Sequence, residues 1–370
     1  MEACSGSACP QKRRSLRSRK LPPYAITSII SKVFESLINI KLSGHLETLH
    51  LLSDHQYGFR SSHSCGDFLA YVSHTWDSFL KDYGESVAIA LDISKAFDRV
   101  WYRQLIAKLP SFGFKLITSF LSNRSIVVRV DGHSSPSLMI NSGVPQGSVL
   151  SPTLFLLFIN DLLSTTTNPI HSYADDSTLH VSSGFRSAPG PNNLLISRRS
   201  IVTSMNKDLQ SNIEWGDTNL VKFNSSKTQC TVFSLKQESF KPSLIFNEAN
   251  INADESLSML GLTFKDDLSW KSHITSLAKS ASQKLGILFR FRNYFTNKQL
   301  LTLYVGTIRP CMEYCCHIWG RYPEVDLLDK VQSKAFCLIS SSTLTDSLPS
   351  LSLRRDVTSL SLFCRYYFGM

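Results

Sequence analysis

Apolar residues recur at helical intervals in several parts of the chain. Residues 29–46 carry isoleucine, valine, phenylalanine and leucine at this spacing, which predicts a helix with Ser28 as its N-cap. Residues 96–106 show the same pattern, and Pro110 closes it because proline cannot continue a helix. Further helices are predicted at 151–161, 201–215 and through much of 270–320.

Shorter apolar runs predict strands. Residues 87–91 form a continuous run that suits a strand buried on both faces. Residues 126–130 are β-prone and meet Asp131 and Gly132, a hairpin signal. More strands are expected near 221–223 and 230–233, and loops at 53–67 and 184–200. Helices and strands alternate irregularly, which predicts an α+β fold with an antiparallel sheet and helices.

The composition is typical of a globular protein whose surface attracts polyanions. Of 370 residues, 42% are hydrophobic and 18% are charged, and the formal net charge is +10. Such a surface attracts phosphate backbones or anionic lipid, although a merely soluble basic protein has the same balance. The longest apolar run, 150–163, is shorter than the roughly 20 residues of a membrane span. A soluble intracellular protein without a membrane partner is expected, with a disordered basic tail over 1–20.

The nine cysteines are scattered and include no C-x-x-C pair. A disulfide framework is therefore not expected, and a reducing compartment fits better. Cys311, Cys315, Cys316 and His317 cluster in an apolar stretch without a second ligand pair. Buried thiols are the preferred interpretation over a zinc site.

Three carboxylates are candidates for chemistry. Asp92 ends the predicted buried strand, and Asp175 and Asp176 stand at a predicted hairpin tip. If the two elements are neighbours in one sheet, the acids meet at one edge. Paired acids away from water are costly unless a cation neutralises them. Two Mg²⁺ ions, or Mn²⁺, would do so. The alternative is that an Asp-Asp pair is an ordinary turn.

Five segments in order carry a family resemblance. They read LDISKAFDRV at 91–100, NSGVPQGSVLSP at 141–152, YADD at 173–176, FNSSKT at 223–228, and LGL with DLSW between 260 and 270. Together they resemble the catalytic motifs of reverse transcriptases. SKVFE at 31–35 and QYGFR at 56–60 resemble finger segments of the non-LTR retrotransposon branch.

The resemblance implies a right-hand polymerase. It implies fingers and palm over 21–265, a helical thumb-like region over 266–345 and a C-terminal tail over 346–370. The implied activity is RNA-directed DNA synthesis, in which a DNA primer is extended on an RNA template with deoxynucleoside triphosphates and two magnesium ions.

The resemblance also assigns roles to the acids and their neighbours. Asp92, Asp175 and Asp176 would hold the metals, and the carbonyl of Ile93 would complete one metal shell. Lys227 would protonate the departing pyrophosphate, with a solvated lysine as the alternative.

Further roles concern the nucleotide. Phe97 occupies the steric-gate position and would exclude a 2′-hydroxyl, although core packing is also expected of it. Gln146 and Gly147 would contact the incoming nucleotide and the template base. Arg60 is a candidate clamp for the triphosphate.

Two other functional hypotheses remain open from the sequence. PPYAI at 22–26 stands where the branch usually has an arginine before Pro-Ile, and no endonuclease region precedes the motifs, which suggests a truncated copy. A catalytically silent nucleic-acid-binding remnant, or an interaction protein that keeps only the fold, is therefore an alternative. A polymerase that copies DNA templates is also compatible with Phe97.

Overall fold

The computed structural model describes residues 28–114, 117–130, 133–182, 191–236 and 240–368. The α-helices in these ranges are α1 (Ile29–Thr48), α2 (Cys65–Tyr83), α3 (Tyr102–Lys108), α4 (Ile117–Leu121), α5 (Ser151–Ile159), α6 (Pro191–Asn219), α7 (Lys271–Arg290), α8 (Asn297–Leu303), α9 (Arg309–Glu313), α10 (Cys316–Trp319), α11 (Asp326–Ile339), α12 (Ser342–Thr345) and α13 (Leu351–Phe368).

The strands in the same ranges are β1 (Glu85–Leu91), β2 (Ser125–Ile126), β3 (Arg129–Val130), β4 (His133–Ser134), β5 (Leu138–Met139), β6 (Ile170–Tyr173), β7 (Asp176–Ser182), β8 (Gln229–Ser234), β9 (Leu244–Phe246), β10 (Ala249–Ile251), β11 (Ser256–Met259) and β12 (Leu262–Lys265). The largest sheet has four antiparallel strands in the order β6-β7-β1-β8. The α+β prediction is confirmed.

β1 separates two hydrophobic cores. Val87, Ile89 and Leu91 belong to the core that contains α3, α5 and part of α6, whereas Ala88 belongs to the core of α2, β11, β12 and the C-terminal helices. Successive strand side chains point to opposite faces, so a continuous apolar run serves both cores at once. This burial holds the end of β1, and therefore Asp92, at a fixed place.

Several predicted elements are confirmed with shifted bounds. α1 covers the predicted 29–46, and Ser28 occupies the N-cap position without a capping hydrogen bond from its side chain. α5 begins at Ser151, and a 3-10 helix (Asn160–Ser164) replaces its predicted last turn. β3 and β4 pair as the predicted hairpin, whose turn residues 131–132 lie outside the described residues.

Other predictions are wrong. The helix predicted over 96–106 is divided into a 3-10 helix (Ala96–Arg99) and α3, because Trp101 pairs with Ser142 between them. The loop predicted over 184–200 is helical from Pro191 onward, where α6 begins.

The C-terminal part is mostly helical. Most of the tail predicted over 346–370 is α13, which ion pairs fasten to the body: Arg355 binds Asp329, and Arg365 binds Asp67. The basic tail predicted over 1–20 lies outside the described residues. No helix in the described ranges combines the length and the apolar character needed to cross a membrane.

Candidate active site

The sheet register brings the predicted acids together. Leu91 of β1 pairs with Ser177 of β7, so continuing the register by one residue sets Asp92 opposite Asp176. Asp175 precedes Asp176 in the turn between β6 and β7. All three acids therefore stand at one edge of the four-stranded sheet, although Asp92 is more than 80 residues away in sequence.

The other neighbour of β1 brings a lysine to the same edge. Ala90 pairs with Gln229 at the start of β8, and Lys227 lies two residues before Gln229, in the turn that leads into that strand. The Nζ atom of Lys227 lies 3.8 Å from Oδ2 of Asp92. The backbone fixes this approach, since the Asn224 amide donates to the Asp92 carbonyl at 2.8 Å. Asp92, Asp176 and Lys227 line a common cavity.

The electrostatics of the acids favour a cation. Partial loss of hydration, followed by repulsion from Asp175 and Asp92, raises the pKa of Asp176 to about 6. Loss of hydration and the charge of Asp92 also raise the pKa of Asp175. Oδ2 of Asp92 is buried and accepts no hydrogen bond. A divalent cation would supply the missing partner and relieve the repulsion, so these carboxylates fit magnesium.

The acids lie close together but are not arranged as a complete set of metal ligands. In the part of the chain that the structure describes, no three histidine, cysteine or acidic side chains are already arranged as a metal-binding group. Magnesium is usually held by one or two carboxylates together with substrate phosphates, so a complete protein cage is not needed. Ile93 is buried beside these acids and pairs with Phe223, which fixes the backbone that follows Asp92.

Phe97 lies beyond the end of β1 in the 3-10 helix. Its ring stacks on Phe155 with centroids 4.5 Å apart and contacts Phe59 edge-on at 6.1 Å. The ring is only partly buried against the core. The core packing expected of Phe97 is therefore present, and one part of the ring remains available to a ligand.

Gln146 and Gly147 lie in a turn before α5. Gly147 is exposed and has φ of 109°, a left-handed conformation that favours glycine. The turn is fastened by Glu35 of α1, whose carboxylate accepts from the Ser148 hydroxyl at 2.5 Å and the Val149 amide at 2.8 Å. Glu35 is buried, and sequence reasoning assigned it no role. An acid among the apolar residues in the first half of α1 is the signal that could have found it.

Arg60 makes contacts other than those expected. Its guanidinium donates to both carboxylate oxygens of Glu47, at 3.1 and 2.7 Å, and to the carbonyls of Ser53 and Gln56. The side chain is only 5% exposed. These contacts favour a role in fixing the loop between α1 and α2, and none of them joins Arg60 to the three acids. The triphosphate clamp remains a prediction.

The histidines near the acids are core residues. His171 and His180 are buried with ring centroids 5.1 Å apart, and the indole of Trp76 donates to Nδ1 of His180 at 3.1 Å. Burial lowers the pKa of His171 to about 3 and that of His180 to about 4. Both are therefore neutral at physiological pH, which agrees with the incidental role expected of them. Of the thiols predicted to be buried, Cys315 and Cys316 are buried and Cys311 is half-buried.

A second residue that sequence reasoning left without a role supports the acid turn. Gln56 is buried, and its side-chain amide bonds the backbone of Ala174, the residue before Asp175. It stands in the QYGFR segment of the resemblance, but the partner lies 118 positions away in sequence.

Comparison with known proteins identifies the family of the chain. The profile of the family described as "Reverse transcriptase (RNA-dependent DNA polymerase)" matches residues 11–264, more than half of the chain. The chain belongs to the reverse transcriptase family. The matched range includes the three acids and Lys227, and the predicted right-hand polymerase family is confirmed.

Relatives of this reverse transcriptase chain come from mobile elements of Drosophila melanogaster. It is 28% identical over 361 residues to "Probable RNA-directed DNA polymerase from transposon X-element", covering 92% of the chain and 37% of that protein. It is 27% identical over 308 residues to "RNA-directed DNA polymerase from mobile element jockey", covering 80% and 33%. The predicted non-LTR retrotransposon type is confirmed. The chain spans about a third of the length of the curated relatives it matches.

Among solved structures, the chain is similar to telomerase from Candida albicans in complex with a fragment of telomeric RNA. The sequence identity is 14%, the TM-score is 0.39, and the match covers 88% of this chain and 57% of the telomerase chain.

Proposed function

We propose that this chain is the polymerase core of a retrotransposon reverse transcriptase, which extends a DNA primer on an RNA template. The observation that carries the proposal is that the strand register sets Asp92 opposite Asp176, beside Asp175, with the Nζ atom of Lys227 3.8 Å from Asp92. The chain matches only 37% of the X-element protein, so the proposal does not include the activities of the rest of that protein.

Asp92, Asp175 and Asp176 would hold two Mg²⁺ ions, or Mn²⁺, with the carbonyl of Ile93 as a further ligand. When bound, the ions would activate the primer hydroxyl and stabilise charge on the leaving pyrophosphate. The carboxylates suit this role because their own repulsion, seen in the raised pKa of Asp176, is relieved by a cation.

The surrounding residues would bind and select the deoxynucleoside triphosphate. Lys227 lies beside Asp92 with 68% of its side chain exposed, so its ammonium is free to reach a phosphate and donate a proton to the pyrophosphate. Phe97 would contact the sugar with the part of its ring that Phe155 does not cover. Gln146 and Gly147 would contact the nucleotide and the template base from the turn that Glu35 fastens.

Primer extension on a homopolymeric RNA template tests this function. The chain with Mg²⁺ should extend an oligodeoxynucleotide primer, and Asp92→Asn should reduce the rate by a factor on the order of 10³, because metal stabilisation amounts to several kcal/mol. Asp98→Asn is the matched control, since it removes a carboxylate from the same motif outside the acid group. Equal activity of Asp92→Asn and wild type would exclude the mechanism.

The silent-remnant alternative has a different outcome in the same assay. It predicts that wild-type chain binds the template-primer without extending it in either Mg²⁺ or Mn²⁺. Binding should weaken steeply with salt under both hypotheses, because phosphate contacts release counterions. Extension alone separates a polymerase from a binding protein.

A further inference from the structure

A segment from the loop between α1 and α2 lies along β6. The Tyr57 amide donates to the Ser172 carbonyl at 2.8 Å, and the Ser172 amide donates to the His55 carbonyl at 2.8 Å. Gln56 and Ser172 form a parallel bridge. The segment therefore pairs with β6, the outermost strand of the four-stranded sheet, next to the turn that carries Asp175 and Asp176.

The side chain of Gln56 holds the turn of that hairpin. Its Oε1 accepts from the Ala174 amide at 2.9 Å and from the Gly58 amide at 2.8 Å, and its Nε2 donates to the Ala174 carbonyl at 3.3 Å. Gln56 is 2% exposed. Both backbone polar groups of the residue before the acid pair are thus bonded to one amide that has no access to solvent.

Ala174 needs this support because its backbone is strained. Its φ is 58°, in the left-handed region that is unfavourable for alanine. Ala174 is also buried, so without Gln56 its amide would lose a hydrogen-bond partner away from water. The turn that directs Asp175 and Asp176 is therefore held by a contact from a distant segment in addition to the pairing of Tyr173 with Asp176.

Gly58 allows the segment to come this close. A Cβ atom added to Gly58 would stand 2.3 Å from the Ala174 nitrogen, far inside van der Waals contact. The same segment continues into Phe59, whose ring touches Phe97. One short stretch thus contacts both the acid turn and the expected sugar-binding ring.

We infer that Gln56 is a positioning residue that fixes the Asp175–Asp176 turn and thereby sets the affinity of the acids for a divalent cation. The inference rests on the proposed function. Residues that orient metal ligands typically change metal affinity about 10- to 100-fold when removed. Gln56 touches neither a cation nor a substrate, so the effect should reach the reaction only through the turn.

Gln56→Met tests the inference, because it keeps the length of the side chain and removes all three hydrogen bonds. The Mg²⁺ concentration for half-maximal extension should rise about 10- to 100-fold, while the KM for template-primer stays within about twofold. Mn²⁺ binding, followed by electron paramagnetic resonance without substrate, should weaken by the same factor. Hydrogen exchange in a peptide over 170–176 should become faster.

Gln332→Met is the matched control. Gln332 is another buried glutamine, which accepts from the Tyr304 hydroxyl at 3.1 Å among the C-terminal helices. This substitution should leave the Mg²⁺ requirement, the Mn²⁺ affinity and the exchange over 170–176 as in wild type. If it changed them equally, a general loss of stability would explain the result and the inference would be overturned.

Gln56→Glu covers the case in which Gln56→Met does not fold. Ionised glutamate keeps both accepted hydrogen bonds but replaces the donor to the Ala174 carbonyl with a charged oxygen that repels it, so exchange over 170–176 should still increase. Unchanged Mn²⁺ binding and unchanged hydrogen exchange in a folded Gln56 variant would refute the inference that Gln56 fixes the turn. Failure of the wild type to extend any primer would refute only the proposed function. Mn²⁺ binding and hydrogen exchange test the role of Gln56 without catalysis.

Discussion

The ammonium of Lys227, in the turn before β8, lies 3.8 Å from the carboxylate of Asp92. The distance exceeds a direct hydrogen bond, and the lysine is mostly exposed while one oxygen of Asp92 is buried without a partner. Lys227 is therefore near enough to interact with the acid and free enough to turn towards a bound phosphate.

Lys227→Gln should lower kcat by a factor on the order of 10² or more, because positioned proton transfer typically contributes that amount. Single-nucleotide extension under rapid mixing measures the effect, and KM for template-primer should change little. Lys222→Gln removes an exposed lysine five residues away and is the matched control. If Lys227→Gln and Lys222→Gln extend equally fast, Lys227 is only a solvated lysine.

Phe97→Val should allow the chain to incorporate ribonucleotides. A shorter side chain opens space for a 2′-hydroxyl, and one or two lost groups in an apolar contact change discrimination about 10- to 200-fold. The ratio of kcat/KM for deoxy- and ribonucleotides measures this. Phe97 also stacks on Phe155, so about 1–3 kcal/mol of stability should be lost as well.

Phe120→Val separates the two effects of the Phe97 change. Phe120 is partly buried against the same core as Phe97 but belongs to α4. It should lower the unfolding free energy without changing the nucleotide preference. Unaltered discrimination in Phe97→Val would leave Phe97 with its packing role alone.

Asp176→Asn should stabilise the fold while it abolishes extension. The folded-state pKa of Asp176 is raised from 3.8 to about 6, so this group stabilises the folded state fully below about pH 4 and loses that contribution as pH rises through 6. At pH 8 the charge is a net cost, about 1 kcal/mol after allowance for its exposure to solvent. Urea unfolding with chelator at pH 4 and pH 8 measures the difference.

The gain in unfolding free energy caused by Asp176→Asn should appear at pH 8 and vanish near pH 4. Added Mg²⁺ should stabilise the wild type more than the variant, because the cation compensates the repulsion. A variant that is less stable than wild type at pH 8 would contradict a repulsive acid group.

His171→Phe should make the fold more resistant to acid. The folded-state pKa of His171 is lowered to about 3 and that of His180 to about 4, so the unfolded chain takes up protons below about pH 6.5 that the folded chain cannot. Stability is therefore lost as pH falls through this window, at about 1.4 kcal/mol per pH unit for each histidine. Urea midpoints from pH 7 to pH 4 should decline less steeply in the variant.

His74→Phe is the control for the pH dependence of the urea midpoints. His74 belongs to α2, outside the buried histidine group. It should leave the pH dependence close to that of wild type. Identical slopes for His171→Phe and wild type would mean that His171 exchanges protons as freely in the folded chain as in the unfolded chain.

The sequence predicted the central strand and the acids because their signals are local. The apolar run before Asp92 and the paired acids between β-prone runs require no knowledge of distant contacts. The divided helix over 96–106 did require it: Val100 and Trp101 stay extended because Gly143 donates to the Val100 carbonyl and Trp101 pairs with Ser142. Helical spacing alone cannot reveal a competing partner 40 residues away.

The residues that support the site were harder to predict than the residues within it. The contact of Gln56 with Ala174, and that of Glu35 with Ser148, each join positions more than 100 residues apart. Arg60 is a further example, since its place in a family segment suggested a phosphate ligand but could not reveal its ion pair with Glu47. A single sequence gives residue type and spacing, but the partner of a buried polar group depends on the folded chain.

The close approach of Gly58 to Ala174 has a consequence for how copies of a mobile element decay. Nearly every nucleotide change in the first two positions of a glycine codon adds a side chain, and here no side chain has room. One mutation can thus disrupt the turn before Asp175 while all three acids remain intact. Inspecting the acids alone would overestimate how many copies keep this turn in place.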